Sequence, residues 1–305
     1  MQNTNQILLV KPAHFTFNKE TAGSNAFQNV LEEKEEIIKT KVLNEFENAV
    51  ALLKSKNINV TVVEDTPDPV KPDAIFPNNW VSFHADGTVI LYPMFAPNRR
   101  EERRLDVLEM LKKKFKIEKV VDLSKYEAEE LFLEGTGSII FDHQHKVAYA
   151  CLSPRTDKEL FIELCNYLNY QPLYFIAEDK NRKQIYHTNV MMCIAEKFVV
   201  ICLDSITDKT ERQQVIQSFA TSDHEIVDIS FDQMSHFAGN MLELKDVNGK
   251  HLLVMSQSAC DSLTVNQKKQ IEKYAELLPL PIKTIETIGG GSARCMIAEI
   301  FLPVT

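Results

Sequence analysis

The sequence predicts a mixed α/β fold built from a recurring ββαβ unit. Three observations carry that expectation. Short apolar runs rich in β-branched residues alternate with longer amphipathic stretches, so two hydrophobic periods are interleaved along the chain. Several strand pairs meet at tight turns, such as Ala85-Asp86-Gly87-Thr88 and Asp246-Val247-Asn248-Gly249-Lys250, which are hairpin signals. The rhythm of two or three strands, a helix, then strands again returns about every 50 to 60 residues. No Pro/Gly/Ser linker interrupts it, so residues 1–305 read as one domain.

Taken in order, period-two or fully apolar runs place strands at 7–11, 60–63, 80–84, 88–92, 119–122, 138–141 and 147–151. Further strands follow at 173–176, 189–194, 198–203, 225–229, 241–244, 252–256, 282–284 and 296–301. Apolar spacings of three to four place helices at 28–56, 99–114, 157–169, 209–219 and 264–277.

Composition narrows the function classes. The 305 residues are 44% hydrophobic and 25% charged, ordinary for a globular protein. With 34 basic against 43 acidic residues the net charge is −9, which argues against nucleic acid as a partner. No apolar run approaches the length of a membrane span, and the segment before Ile7-Leu8-Leu9-Val10 lacks the basic region of a signal peptide. The six cysteines are scattered, with no C-x-x-C pair, so neither a zinc site nor a disulfide framework is expected. Reduced thiols in a cytoplasmic protein are the default.

One cysteine stands apart. Cys295 follows Gly289-Gly290-Gly291-Ser292-Ala293-Arg294 and precedes an apolar run, whereas Cys193 and Cys202 are embedded in apolar company. Glycines allow a sharp turn and close approach of backbone to a ligand, so a thiol here sits where a nucleophile would. The other reading is a hairpin followed by a small core residue.

A cysteine nucleophile needs a proton-transfer partner, and that partner needs orienting. Glu134 lies in the glycine-rich turn Leu133-Glu134-Gly135-Thr136-Gly137, and His187 precedes the apolar run after Thr188-Asn189. Their alternatives are an exposed turn acid and a satisfied structural histidine. His14, His84, His143, His145, His224, His236 and His251 stand in polar or loop-like contexts and are weaker candidates. Phe76-Pro77-Asn78-Asn79-Trp80 packs two amides beside the only tryptophan. Arg99, Arg100 and Arg155 sit at loop–helix junctions, where a cation opposes the helix dipole unless it has another partner. Such arginines suit bidentate capture of a carboxylate.

Together and in this order, these segments resemble the guanidino-group-modifying enzyme superfamily. That group includes arginine deiminase, dimethylarginine dimethylaminohydrolase, agmatine deiminase, succinylarginine dihydrolase and the amidinotransferases. Asn78-Asn79 falls where the superfamily has an acidic substrate-binding residue, and Asn98-Arg99-Arg100 is similar to its Ser-Arg-Arg segment. Leu133 to Gly137 resembles its acid-Gly-Gly segment, and Leu152-Ser153-Pro154-Arg155-Thr156 its Leu-Ser-x-Arg-Thr. His187-Thr188-Asn189 takes the place of the catalytic histidine segment; Phe237 to Leu242 and Gly289 to Met296 resemble the last two motifs. Within the superfamily the likeness points to the bacterial branch described as citrulline-utilisation hydrolases.

The resemblance implies a five-bladed, pseudo-symmetric α/β propeller of ββαβ repeats. It implies Cys295 as the attacking thiolate, His187 as acid and then base, and Glu134 as the group that orients His187. Asn78, Asn79, Asn189, Arg99 and Arg155 would bind a small amino-acid substrate, Arg155 its carboxylate. Neither a metal nor an organic cofactor is expected, and a homodimer is compatible. The departure from the pattern lies in Asn79 and Asn189, which stand where carboxylates would face a guanidinium. A buried cation without opposing charge is costly, whereas an amide matches a neutral ureido group. The expected reaction is therefore citrulline to ornithine. The alternatives are an arginine deiminase or dihydrolase, an amidinotransferase, and a non-catalytic amino-acid-binding relative.

Overall fold

The computed structural model describes all 305 residues. Fifteen strands form five three-stranded sheets. They are β1 (Gln6–Lys11), β2 (Asn59–Glu64), β3 (Val81–Phe83), β4 (Thr88–Leu91), β5 (Lys119–Asp122), β6 (Ile140–Asp142), β7 (Val147–Cys151) and β8 (Gln171–Phe175). The rest are β9 (Met192–Ile194), β10 (Phe198–Ile201), β11 (Glu225–Asp228), β12 (Leu242–Lys245), β13 (His251–Ser256), β14 (Glu276–Leu280) and β15 (Ala298–Glu299).

The five sheets share one wiring. In β3-β4-β5, β6-β7-β8, β9-β10-β11 and β12-β13-β14, the middle strand pairs antiparallel with the first and parallel with the third. A parallel pair needs a crossover, and each has a helix: Leu105–Leu111, Lys158–Leu168, Lys209–Thr221 and Val265–Glu272. The remaining sheet, β15-β1-β2, has the same wiring but takes its first strand from the other end of the chain, with Ile7 opposite Glu299 and Leu8 opposite Ala298. Its crossover is the long helix Glu35–Ser55. No helix is long and apolar enough to cross a membrane.

Local chemistry explains where the crossovers start. Asp157 and Asp208 accept hydrogen bonds from backbone N–H groups of the first helical turn, and Thr264 forms a capping box with Gln267. Middle strands such as β10 are buried on both faces, which is why they read as unbroken apolar runs.

Several sequence-based boundaries need correction. Residues 28–34 are not helical; the helix begins at Glu35, and residues 18–34 form a strap tied across the molecule through Asn29 N–H to the Thr287 carbonyl. The expected helix 99–114 is two pieces, Pro97–Arg100 and Leu105–Leu111. The helix expected at 264–277 stops at Glu272, because Glu276–Leu280 pairs in parallel with β13. The strand expected at 282–284 is the start of helix Lys283–Gly289, held at its N-terminus by the Glu45 carboxylate. Gly290, at φ +63°, ends that helix in the left-handed conformation that glycine adopts at least cost.

Candidate active site

The residues singled out from sequence converge on one end of the five sheets. Each sheet's first strand is preceded by a short turn, and each of these turns carries candidate polar groups. Pro77–Asn79 precedes β3, Gly135–Ser138 precedes β6, and Thr188–Met191 precedes β9. Asn240 lies just before β12, and Cys295 just before β15. The expected strands 138–141 and 189–194 start later, at Ile140 and Met192. Ser138 and Asn189–Met191 belong to helical turns joined by a hydrogen bond from Thr188 Oγ1 to the Ser138 carbonyl at 2.5 Å.

Glu134 is completely buried. Its Oε1 accepts the Phe95 N–H at 2.9 Å, and its Oε2 lies 2.7 Å from His187 Nε2 and 3.5 Å from Arg155 Nη1. Burial opposes ionisation of this carboxyl, but Arg155, His187 and Arg99 outweigh it and hold it well below the usual carboxylate range. An ionised Glu134 can only accept, so His187 donates from Nε2 and keeps a lone pair on Nδ1. Burial drives His187 down to about 4, against the opposing pull of Glu134, so its imidazole is neutral at physiological pH. A Cβ on Gly137 would stand 2.8 Å from His187 Nδ1 and 2.4 Å from Asn79 Nδ2, so only glycine leaves room there.

The second half of the site surrounds the thiol. Cys295 Sγ receives hydrogen bonds from Asn189 Nδ2 and Asn240 Nδ2, both at 3.3 Å. Asn240 is fixed in turn, since its Nδ2 also reaches the Asn189 carbonyl at 2.9 Å and its Oδ1 accepts the Arg294 N–H at 3.0 Å. Asn240 belongs to one of the quoted motifs, yet nothing in its local pattern marks it as a partner of Cys295. The contact spans 55 residues and exists only after folding.

The arginines divide. Arg99 forks onto Glu102 at 2.9 Å through both Nε and Nη2, and Nη1 donates to Asn79 Oδ1 at 2.8 Å. Its misplaced charge at a helix start is thus matched locally. Arg155 stacks 4.8 Å from the Tyr186 ring, and its Nη2 donates to Thr21 O and Ser24 Oγ of the strap. Arg100 is apart from the cluster, bound to the Met94 carbonyl and beside Glu127. Asp73, not singled out from sequence, is buried here too, 3.7 Å from Arg99 and bonded to Asn18 at 2.8 Å.

Several polar atoms around this cluster are buried with no hydrogen-bond partner in the protein: both side-chain atoms of Asn78, Asn79 Nδ2, Asn189 Oδ1, Asp73 Oδ1 and Arg155 Nε. Buried polar groups are normally satisfied, so such a concentration marks a place where a polar ligand completes the pairing. The strap closes over it. Asn18 reaches Asp73, Thr21 and Ser24 reach Arg155, and Asn25 donates to the Gly289 and Gly290 carbonyls. The weaker histidine candidates lie elsewhere; His84 and His143, for example, pair with Ser82 and Tyr170.

Three solved structures share the fold across 98% of this chain. The apo structure of ArgZ, an arginine dihydrolase from the ornithine–ammonia cycle in Cyanobacteria, superposes with a TM-score of 0.76 at 15% identity. Unliganded AgrE does so with a TM-score of 0.77 at 17% identity. A histidine-to-glycine variant of dimethylarginine dimethylaminohydrolase, as its adduct with S-methyl-L-thiocitrulline, gives 0.65 at 14% identity and is covered over its full length. The chain spans 41% of the ArgZ chain and 40% of the AgrE chain. No curated protein sequence matches it. Residues 11–302 match the sequence model described as N,N dimethylarginine dimethylhydrolase, eukaryotic. The chain therefore belongs to that family.

Proposed function

We propose that this enzyme is a cysteine-dependent ureido hydrolase converting citrulline to ornithine, ammonia and carbon dioxide. The observation that carries this is the set of unpartnered amide atoms on Asn78, Asn79 and Asn189. Asn79 Nδ2 can donate to a ureido oxygen, and Asn189 Oδ1 and Asn78 can accept its N–H groups. Glu134, by contrast, is already committed to Phe95, His187 and Arg155. A guanidinium would have to compete with Arg99 and Arg155 for the buried carboxylates Glu134, Glu102 and Asp73.

In this reading Cys295 attacks the ureido carbon, and neutral His187 takes the thiol proton and passes it to the departing ornithine amine. That leaves an S-carbamoyl thioester. His187 then activates water, whose attack expels the thiol and releases carbamic acid, which falls apart to ammonia and carbon dioxide. Asn189 and Asn240 stabilise negative charge on sulfur, and Glu134 holds His187 in its Nε2–H form. Arg155 and Asp73 are suited to the substrate's carboxylate and ammonium. Arg99 orients Asn79 rather than meeting substrate, since its donors are occupied.

The repeated wiring, with β15 closing the first sheet, supports five blades of one α/β propeller and a single catalytic domain over residues 1–305. Six free, buried cysteines suit a cytoplasmic location. A second reading, hydrolysis of arginine, is favoured by Asp73, whose free Oδ1 offers a guanidinium one carboxylate oxygen. Product analysis decides between them. Purified enzyme given L-citrulline and, separately, L-arginine should form ornithine from citrulline only, and Cys295→Ser should form none. Turnover of arginine without citrulline turnover would reject the ureido reading.

A further inference from the structure

We propose that Asp142, His145 and His224 form a binding site for a zinc-like divalent cation, away from the catalytic cluster and clamping two neighbouring sheets together. Asp142 ends β6, at the opposite end of that strand from the helical turn Gly135–Ser138. His145 stands in the turn to β7, and His224 immediately precedes β11 in the next sheet. One ligand atom from each of the three lies within 4.8 Å of the other two.

The supporting contacts have the form of a metal site's surroundings. Ligating histidines usually donate their second N–H to a carboxylate or a backbone carbonyl, which fixes ring and tautomer. His224 Nε2 lies 3.0 Å from the Ala195 carbonyl, so it carries the proton and leaves a lone pair on Nδ1. Ser222 Oγ, 2.7 Å from that nitrogen, also donates to the Ser218 carbonyl at 3.0 Å, so its proton need not occupy the Nδ1 lone pair, although an ion would displace the oxygen. Asp142 is buried, and its Oδ1 is pinned by the His145 N–H at 2.9 Å. His145 Nδ1 lies 2.9 Å from Asp142 Oδ2, close to the separation of two donors on one ion with bonds of about 2 Å. Its side chain is 33% exposed, so the ring can adjust and move its proton to Nε2 in contact with solvent.

Access exists as well. His145 and Ser222 line a surface cleft of about 970 Å³. Two imidazoles and one carboxylate select a borderline divalent ion such as Zn²⁺ over Mg²⁺ or Ca²⁺, with water completing the coordination. Because the donors come from two sheets, the bound ion would stabilise the folded chain by mass action.

The test uses the full chain carrying Cys295→Ser, so that the active-site thiol does not compete. Calorimetry with Zn²⁺ should give one equivalent, and Co²⁺ should give visible absorption without a thiolate charge-transfer band. His145→Ala and His224→Gln should each weaken binding at least about tenfold. Zn²⁺ should raise the melting temperature of the parent but not of His145→Ala, a partly exposed position where a folding defect is not expected. Absence of saturable binding, a thiolate band, or equal affinity in His145→Ala would overturn the site.

Discussion

The two halves of the candidate active site are built on opposite electrostatic plans. Around Glu134 the charges are dense and already matched: two arginines, a histidine and a backbone N–H converge on one buried carboxylate. Around Cys295 no ion pair touches the sulfur, and two asparagine amides point at it instead. The unpartnered atoms lie mainly with the amides rather than with the charges. A region whose charges are paired in advance needs no reorganisation when substrate arrives and can act as a rigid frame. A region of uncharged, incompletely paired amides can choose its ligand by hydrogen-bond pattern, because a wrong ligand leaves buried groups unsatisfied.

The contrast can be broken most severely from the charged side. Glu134→Gln removes the anion while leaving Arg155 and Arg99 buried, so kcat should fall by about 10²–10⁴-fold. Stability should fall as well, by about 3 kcal/mol in urea unfolding. A variant with near-normal stability would show that Asp73 and Glu102 alone balance the arginines.

Asn79→Asp sharpens the comparison from the other side. Its oxygen can still accept from Arg99, but the free Nδ2 becomes a carboxylate oxygen. Citrulline kcat/KM should drop by about 10²-fold or more while arginine becomes a better substrate. Parallel losses on both substrates would mean that Asn79 does not read the reacting group.

Asn240→Ala should have a smaller effect. It removes one of two donors to the sulfur, worth about 1.5 kcal/mol for a charge-assisted bond, or about tenfold in the rate of Cys295 alkylation. KM for citrulline should barely move, since Asn240 is committed to protein groups.

The smallest expected effect is a null one in the pH profile. With His187 pushed down to about 4 by burial, lowering pH from 7 to 6 leaves it neutral and able to accept a proton. The acid limb of kcat/KM should therefore appear near pH 4, where protonation removes that capacity. A limb near 6.5 would place His187 in a more solvated setting than its burial implies.

Much of the frame was legible beforehand because it depends on short-range pattern. Hairpin turns, β-branched runs and capped crossover helices located most strands of the five sheets. The failures have a common cause. The turns around Ser138 and Asn189 lead into apolar strands, so a two-residue period absorbed residues that cross-molecule hydrogen bonds keep helical. Residues 276–277 continued the helical apolar spacing of the expected helix 264–277, but parallel pairing with β13 outweighed that weak preference. The 28–34 part of the strap had apolar residues at helical spacing, yet its anchor lies on the distant helix Lys283–Gly289.

The sequence by itself determined the chemical inventory: one cysteine after a glycine turn, a histidine, a glycine-flanked acid, and asparagines where carboxylates would be expected. It also determined the repeat that sets such residues ahead of successive first strands. Only the tertiary structure decided which of these groups are spent and which are free. It committed Arg99 to Glu102 and Asn79, brought Asn240 to the thiol, and left Asn78, Asn79 and Asn189 with unpartnered atoms. The physical reason is range. Residue identity and local propensity act over a few positions, whereas the contact between Asn189 and Cys295 joins residues 106 apart and forms only when their sheets are in place.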